Sequence, residues 1–120
     1  MIKLYSYPDL EKAAKPYGCF FSIPGMNDEF GHLGLRFLVI EPGGRTSKHF
    51  HPSEELFFIL KGKGEIEDER QGREVKEDDI VLIPSNNPHR LKNIGSGDLI
   101  VIAVMSPPVN NKTTYIENSH

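Results

Sequence analysis

The octapeptide Lys48-His49-Phe50-His51-Pro52-Ser53-Glu54-Glu55 sets two imidazoles one residue apart and a carboxylate four residues later, at the mouth of the apolar run Leu56–Leu60. In an extended chain His49 and His51 point to the same side, because successive side chains alternate. Pro52-Ser53 is a turn pair, so Glu55 opens the next strand and a hairpin returns its carboxylate to the two rings. Two imidazoles and a carboxylate on one inward face make a facial metal site with open coordination positions. His89 follows a second proline-bounded turn, Ser85-Asn86-Asn87-Pro88, and is placed to add a third imidazole. Taken singly, each residue has a plainer reading. A His-x-His pair is commonly solvated, and a lone glutamate is commonly a hairpin charge.

Such side chains need strands to carry them. Glycine (11) and proline (9) punctuate the chain at short intervals, which is the pattern of an all-β sandwich or barrel. Strands are expected at Phe20–Ile23, Gly34–Glu41, Thr46–Phe50, Glu55–Lys61, Gly64–Asp68, Arg73–Val75, Asp79–Ile83, His89–Asn93 and Leu99–Met105. Glu11–Lys15 reads as a single helical turn. Two of the strands are apolar on both faces. Alternation puts Glu55, Phe57 and Ile59 inward and Leu56, Phe58 and Leu60 outward, and Leu99–Met105 behaves alike. An apolar outer face implies a second layer, either from the same chain or from a second copy.

The chain has 120 residues, 38% of them hydrophobic and 26% charged, with a net charge of -3. That is an ordinary soluble globular composition, and no basic stripe marks a nucleic-acid partner. Its apolar runs are too short to span a bilayer as a helix. The first residues show no secretory signal pattern, and Cys19, as a lone cysteine, suits a reducing cytoplasm. In the apolar stretch "YGCFF" it reads as packing rather than as a nucleophile.

The spacing Gly43, five residues, His49-x-His51, three residues, Glu55, six residues, Gly62 resembles the first motif of the cupins. The second cupin motif is matched by Asp78, Pro84, Asn86, His89 and Asn93, with Asp78 and Asn86 standing where that motif has glycine. Both are turn residues, and asparagine tolerates the left-handed conformation. The resemblance spans roughly residues 33–106. It divides the chain into an N-terminal segment of one or two extra strands (1–32), a barrel (33–106) and a polar tail (107–120), loose or strapped over a partner. It implies a double-sheet jelly-roll barrel in which His49, His51, Glu55 and His89 hold one divalent transition metal. The carboxylate favours Mn or Fe, while Zn, Ni, Co and Cu also suit such donors. His32 and His120 match no motif position.

By alternation Phe57 and Ile59 follow Glu55 inward and Leu91 follows His89, lining a substrate pocket. Arg36 interrupts the apolar stretch "LGLRFLVI" and is the charged candidate for that pocket. The favoured reading points it outward to solvent or a partner; pointing inward, it would hold a substrate carboxylate bidentately. Cupins include dioxygenases, decarboxylases, isomerases, lyases and binders, so the fold does not fix the function. The intact ligand set favours a metal-dependent enzyme acting on a small oxygenated molecule, with Glu55 itself the catalytic candidate. The alternative is a non-catalytic binding or sensing module. A cytoplasmic homodimer is expected in either case.

Overall fold

The computed structural model describes residues 2–24, 32–109 and 114–116. A 3₁₀ turn at Tyr7–Asp9 precedes the strands β1 (Ala13–Lys15), β2 (Cys19–Ser22), β3 (Gly34–Ile40), β4 (His49–Phe50), β5 (Glu54–Lys61), β6 (Lys63–Glu67), β7 (Gly72–Lys76), β8 (Ile80–Ile83), β9 (Arg90–Asn93), β10 (Leu99–Ser106) and β11 (Tyr115–Ile116). One wall is a six-stranded sheet in the order β1-β2-β3-β10-β5-β8. The other is the sheet β7-β6-β9, carried onward to the β4–β11 pair by isolated bridges at Arg45↔Lys92 and His49↔His89. Every pairing is antiparallel. These walls, both antiparallel, form the expected jelly roll.

The core between the walls is made by the inward residues of each strand. Ile40, Ile59, Leu91, Leu99 and Val101 are wholly buried, each worth roughly 1.5–3 kcal/mol relative to an exposed side chain. Register builds the floor of a cavity. Arg36 pairs Ala103, and Ala103 pairs Phe57, so these three side chains form one inward row across β3, β10 and β5. The middle member is a methyl group. It leaves open the space that a larger residue would fill.

Glycine-like backbone occurs at all four turn positions of the two motifs. Gly43 and Gly62 have φ of 80° and 95°, while Asp78 and Asn86, which replace glycine, have φ of 73° and 60°. At Gly62 a Cβ would lie 2.7 Å from the Asp98 carbonyl oxygen, so the residue answers a close approach as well as a left-handed φ. The buried Asn93 closes the second motif. Its amide donates to the carbonyls of Ile40 and Gly97, and its Oδ1 accepts from the Gly95 amide.

The N-terminal segment departs from expectation. Glu11–Lys15 is not helical: Ala13–Lys15 is extended and pairs with Cys19–Phe21. Pro16 disfavours helical backbone at the residue before it, and Tyr17 and Gly18, both left-handed at 67° and 72°, turn the chain back. The expected strand over Thr46–Phe50 is regular only at His49–Phe50. In the tail, Tyr115 and Ile116 pair with Phe50 and His49 of the same chain. His120 lies outside the described residues, and His32 is exposed in a bend.

Candidate metal centre

The site joins the two walls. His49 and His89 face each other in a doubly hydrogen-bonded bridge, with N···O distances of 3.1 and 2.9 Å. His51 is fixed two residues on, where its carbonyl accepts from the Asn86 amide at 2.7 Å. Glu55 comes from the opposite wall, where its register places it between Met105 and Ile83. The turn between His51 and Glu55 is pinned by the Ser53 hydroxyl, which donates to the Pro107 carbonyl at 2.5 Å.

The rings converge. Ligand-capable atoms of His49, His51 and His89 all lie within 4.8 Å of one another. Each ring is turned by the same device, an Nδ1 contact with a backbone carbonyl two residues away: Ser47 for His49 (2.6 Å), Ser53 for His51 (3.0 Å) and Asn87 for His89 (2.8 Å). A carbonyl only accepts, so each Nδ1 carries the proton and each Nε2 of a neutral ring presents a lone pair. His51 Nε2 lies 3.1 Å from Glu55 Oε1, and His89 Nε2 lies 3.4 Å from the same oxygen without hydrogen-bond alignment. The buried His89 Nε2 has no hydrogen-bond partner.

Lone pairs aimed at a carboxylate need a positive species between them. In the ion-free pair a proton serves: burial opposes charge on His51, yet the hydrogen bond and charge of Glu55 raise it above the ordinary histidine range. Burial would likewise raise the Glu55 carboxyl, but the His51 hydrogen bond and the electrostatic pull of His51 and His89 beside it hold it down to about 2. His49 is pushed down to about 4 by burial and then by His89, so it stays neutral at ordinary pH. Three oriented imidazole lone pairs and an ionised carboxylate suit a divalent cation. His49, His51 and His89 are thus positioned to bind a metal, with Glu55 in contact with two of them.

These shifts give chelator-treated protein a stability maximum near pH 6.5. The depressed His49 contributes stability that is present above 6.5 and lost as pH falls toward 4; Glu55 adds its own loss between 4.5 and about 2. The raised His51 contributes stability that is complete below 6.5 and lost as pH rises through its folded value. Urea midpoints across this range measure the profile. Stability that climbs steadily from pH 6.5 to 8 would contradict the His51–Glu55 pairing.

A cavity of about 270 Å³ opens onto His49, His51 and Glu55, just under the usual size range for ligand sites. Its walls include Phe21, Leu38, Phe57, Ala103 and Val109, with Arg36 among them. Arg36 therefore points inward, against the outward reading. Leu38 and Ile40 on the same face of β3 are buried, but Leu35, Phe37 and Val39 are apolar too, so the sequence pattern has no phase to reveal. Ile59 and Leu91 are inward as expected but sit in the core and are not among the lining residues. Sequence reasoning missed Phe21 and Val109 as walls. Cys19 also lines the cavity; burial pushes its thiol up to about 12, which leaves it protonated and inert.

A family model described as the cupin domain matches residues 36–105, and the chain belongs to that family. The uncharacterized protein MJ1618 of Methanocaldococcus jannaschii is 34% identical over 79 residues, which cover 65% of this chain and 63% of that protein. A 5-nitrosalicylic acid 1,2-dioxygenase of a Bradyrhizobium species is 32% identical over 66 residues, 55% of this chain and 32% of the other. The chain spans less than two thirds of the length of either relative. In fold it is similar to the polyketide cyclase RemF from Streptomyces resistomycificus, with a TM-score of 0.84 at 16% identity, covering 100% of this chain and 88% of that one. Proteins similar to this chain include a dioxygenase, a decarboxylase, a cyclase and binding proteins. The family by itself does not select a reaction.

Proposed function

We propose that this protein is a metal-dependent enzyme acting on a small oxygenated molecule, in the manner of a dioxygenase, decarboxylase, isomerase or lyase. The observation that carries the reading is the set of three carbonyl-locked imidazoles gathered with Glu55, of which His49, His51 and Glu55 line an apolar cavity. His49, His51, Glu55 and His89 would hold one divalent ion, Mn or Fe in preference to Zn, Ni, Co or Cu because one donor is a hard carboxylate. When bound, such an ion supplies Lewis acidity, or in the case of iron redox capacity, to a ligand oxygen. The chain's own contribution is shape and dryness: Phe57 and the cavity's other apolar walls exclude water around a substrate.

The test is a screen of small carboxylates, diketones and phenols, aerobic and anaerobic, against protein loaded with Mn, Fe, Ni or Cu. Turnover is expected with one metal form. Glu55→Gln should keep the fold but lose more than the roughly tenfold that removal of an outer-shell partner costs. A screen inactive in every metal form favours a binding module instead. Lone, buried Cys19 suits a reducing cytoplasm, where we place the protein as a homodimer joined through the outer face of the six-stranded sheet.

A further inference from the structure

We infer that Arg36 is an anion-binding residue and that the ligand of this cavity carries a single carboxylate. The inference deepens the proposed small-molecule reading and rests on it for the cavity's being a ligand site. Arg36 stands in the inward row with Ala103 and Phe57, so its guanidinium enters the space that the Ala103 methyl leaves open. One guanidinium nitrogen donates to the Val109 carbonyl at 2.9 Å, and the guanidinium carbon lies 5.0 Å from the centre of the Phe21 ring. Those two contacts orient the fork. The buried Nε–H is left with no partner.

A buried donor without an acceptor calls for an explanation, and the partly buried guanidinium carrying it has no ion-pair partner of its own. Among the described residues no carboxylate pairs with Arg36. The cavity's own carboxylate, Glu55, is turned to His51 and His89. Exposed Lys15, 5.7 Å from the same Phe21 ring, adds a second positive charge to the cavity lining. The lining therefore holds two fixed cations against one carboxylate that is already engaged.

A water could satisfy Nε–H but would leave the charge unmatched. A carboxylate satisfies both, by a charge-assisted hydrogen bond in the geometry that a guanidinium fork favours. Lys15 is exposed and its charge is screened by solvent, so the Arg36 guanidinium alone sets the positive charge inside the cavity, which argues for a monoanion over a phosphate dianion. Phe21, Leu38 and Val109 would receive an apolar body. The ligand class is thus a small, largely apolar monocarboxylic acid.

The probes are benzoate and salicylate, each against its neutral amide, by calorimetric titration of chelator-treated and manganese-loaded protein. The chelated arm isolates Arg36, because a carboxylate could also bind a metal. Wild-type protein should bind at least one acid roughly ten- to hundredfold more tightly than its amide in both arms, as expected of a hydrogen bond to a charged group. Arg36→Gln should abolish that preference, and Arg36→Lys should keep part of it. Equal binding of acid and amide by wild-type protein, or no binding of either acid at millimolar concentration, overturns the inference. So does an Arg36→Gln protein that keeps the preference. If Arg36→Gln does not fold, the wild-type comparison decides alone. A protein that takes up no metal yet prefers the acid would sink the metal assignment and leave this one standing.

Discussion

Purified without a histidine tag, the wild-type protein should carry close to one transition-metal ion per chain, and His49→Ala/His89→Ala should carry almost none. The two rings are removed together because they face each other across a single bridge, with centroids 4.4 Å apart. Their loss leaves His51 and Glu55, a pair that can satisfy itself with a proton. Elemental analysis with a melting curve on the same samples reads both occupancy and fold. The double variant should stay folded, since His49 and His89 keep their bridge through backbone atoms alone. If it retains near one ion per chain, the assignment is wrong. Removing Glu55's charge alone should weaken binding less, because three imidazoles remain.

The second large effect concerns the sheet's outer face. Two apolar ladders cross four strands there: Leu35, Val104, Leu56 and Leu82 in one, and Phe37, Ile102, Phe58 and Ile80 in the other. The alternative to a second copy is cover from the same chain, and the N-terminal segment is the part placed to give it. That cover is partial: Cys19–Ser22 pairs edge to edge with β3, and Tyr7 packs on Phe37 in a tilted geometry with ring centroids 4.5 Å apart. At the other end of the ladders Ile80 and Leu82 remain 60% and 72% exposed. Burying two such side chains is worth roughly 3–6 kcal/mol, so a two-fold pairing of these faces should hold wild-type protein as dimers at micromolar concentration. Phe58→Glu would set two carboxylates against each other near the symmetry axis. The expected result is at least a hundredfold weaker association, from about 3 kcal/mol, seen by sedimentation as monomer or aggregate. Wild-type protein running as a clean 13.5 kDa monomer would end the dimer proposal.

Much of the barrel was legible because turns and alternation are local properties. Pro84 and Asn86, or Pro42 and Gly43, break the chain wherever they occur, and apart from Thr46–Phe50, regular only at His49–Phe50, the expected strands fall within one or two residues of those observed. The convergence of His49, His51 and His89 was legible for another reason. Two motifs at fixed spacing each end in a turn that alternation can follow. What could not be read was phase and partner. Arg36 lies in a strand apolar on both sides, so only its pairing with Ala103 reveals which way it points. Ala13–Lys15 has no apolar alternation, and it is extended because of a hairpin with Cys19–Phe21, a tertiary cause. Phe21 and Val109 line the cavity through contacts far apart in sequence, and no local pattern encodes those.

Glu55 stands on one wall while the three imidazoles stand on the other, and that division has a mechanical meaning. Whatever shares their electron pairs is a crossbar between two sheets that elsewhere meet mainly through oily side chains, the Asn93–Ile40 hydrogen bond apart. With a proton as crossbar the tie is single and acid-dependent; a multivalent cation would tie the same walls at several points. Breathing of the barrel mouth and emptying of the site then become one event with one equilibrium constant. The rate at which amides near Glu55 and His89 trade hydrogen with solvent would therefore report occupancy as faithfully as any assay of the ion itself.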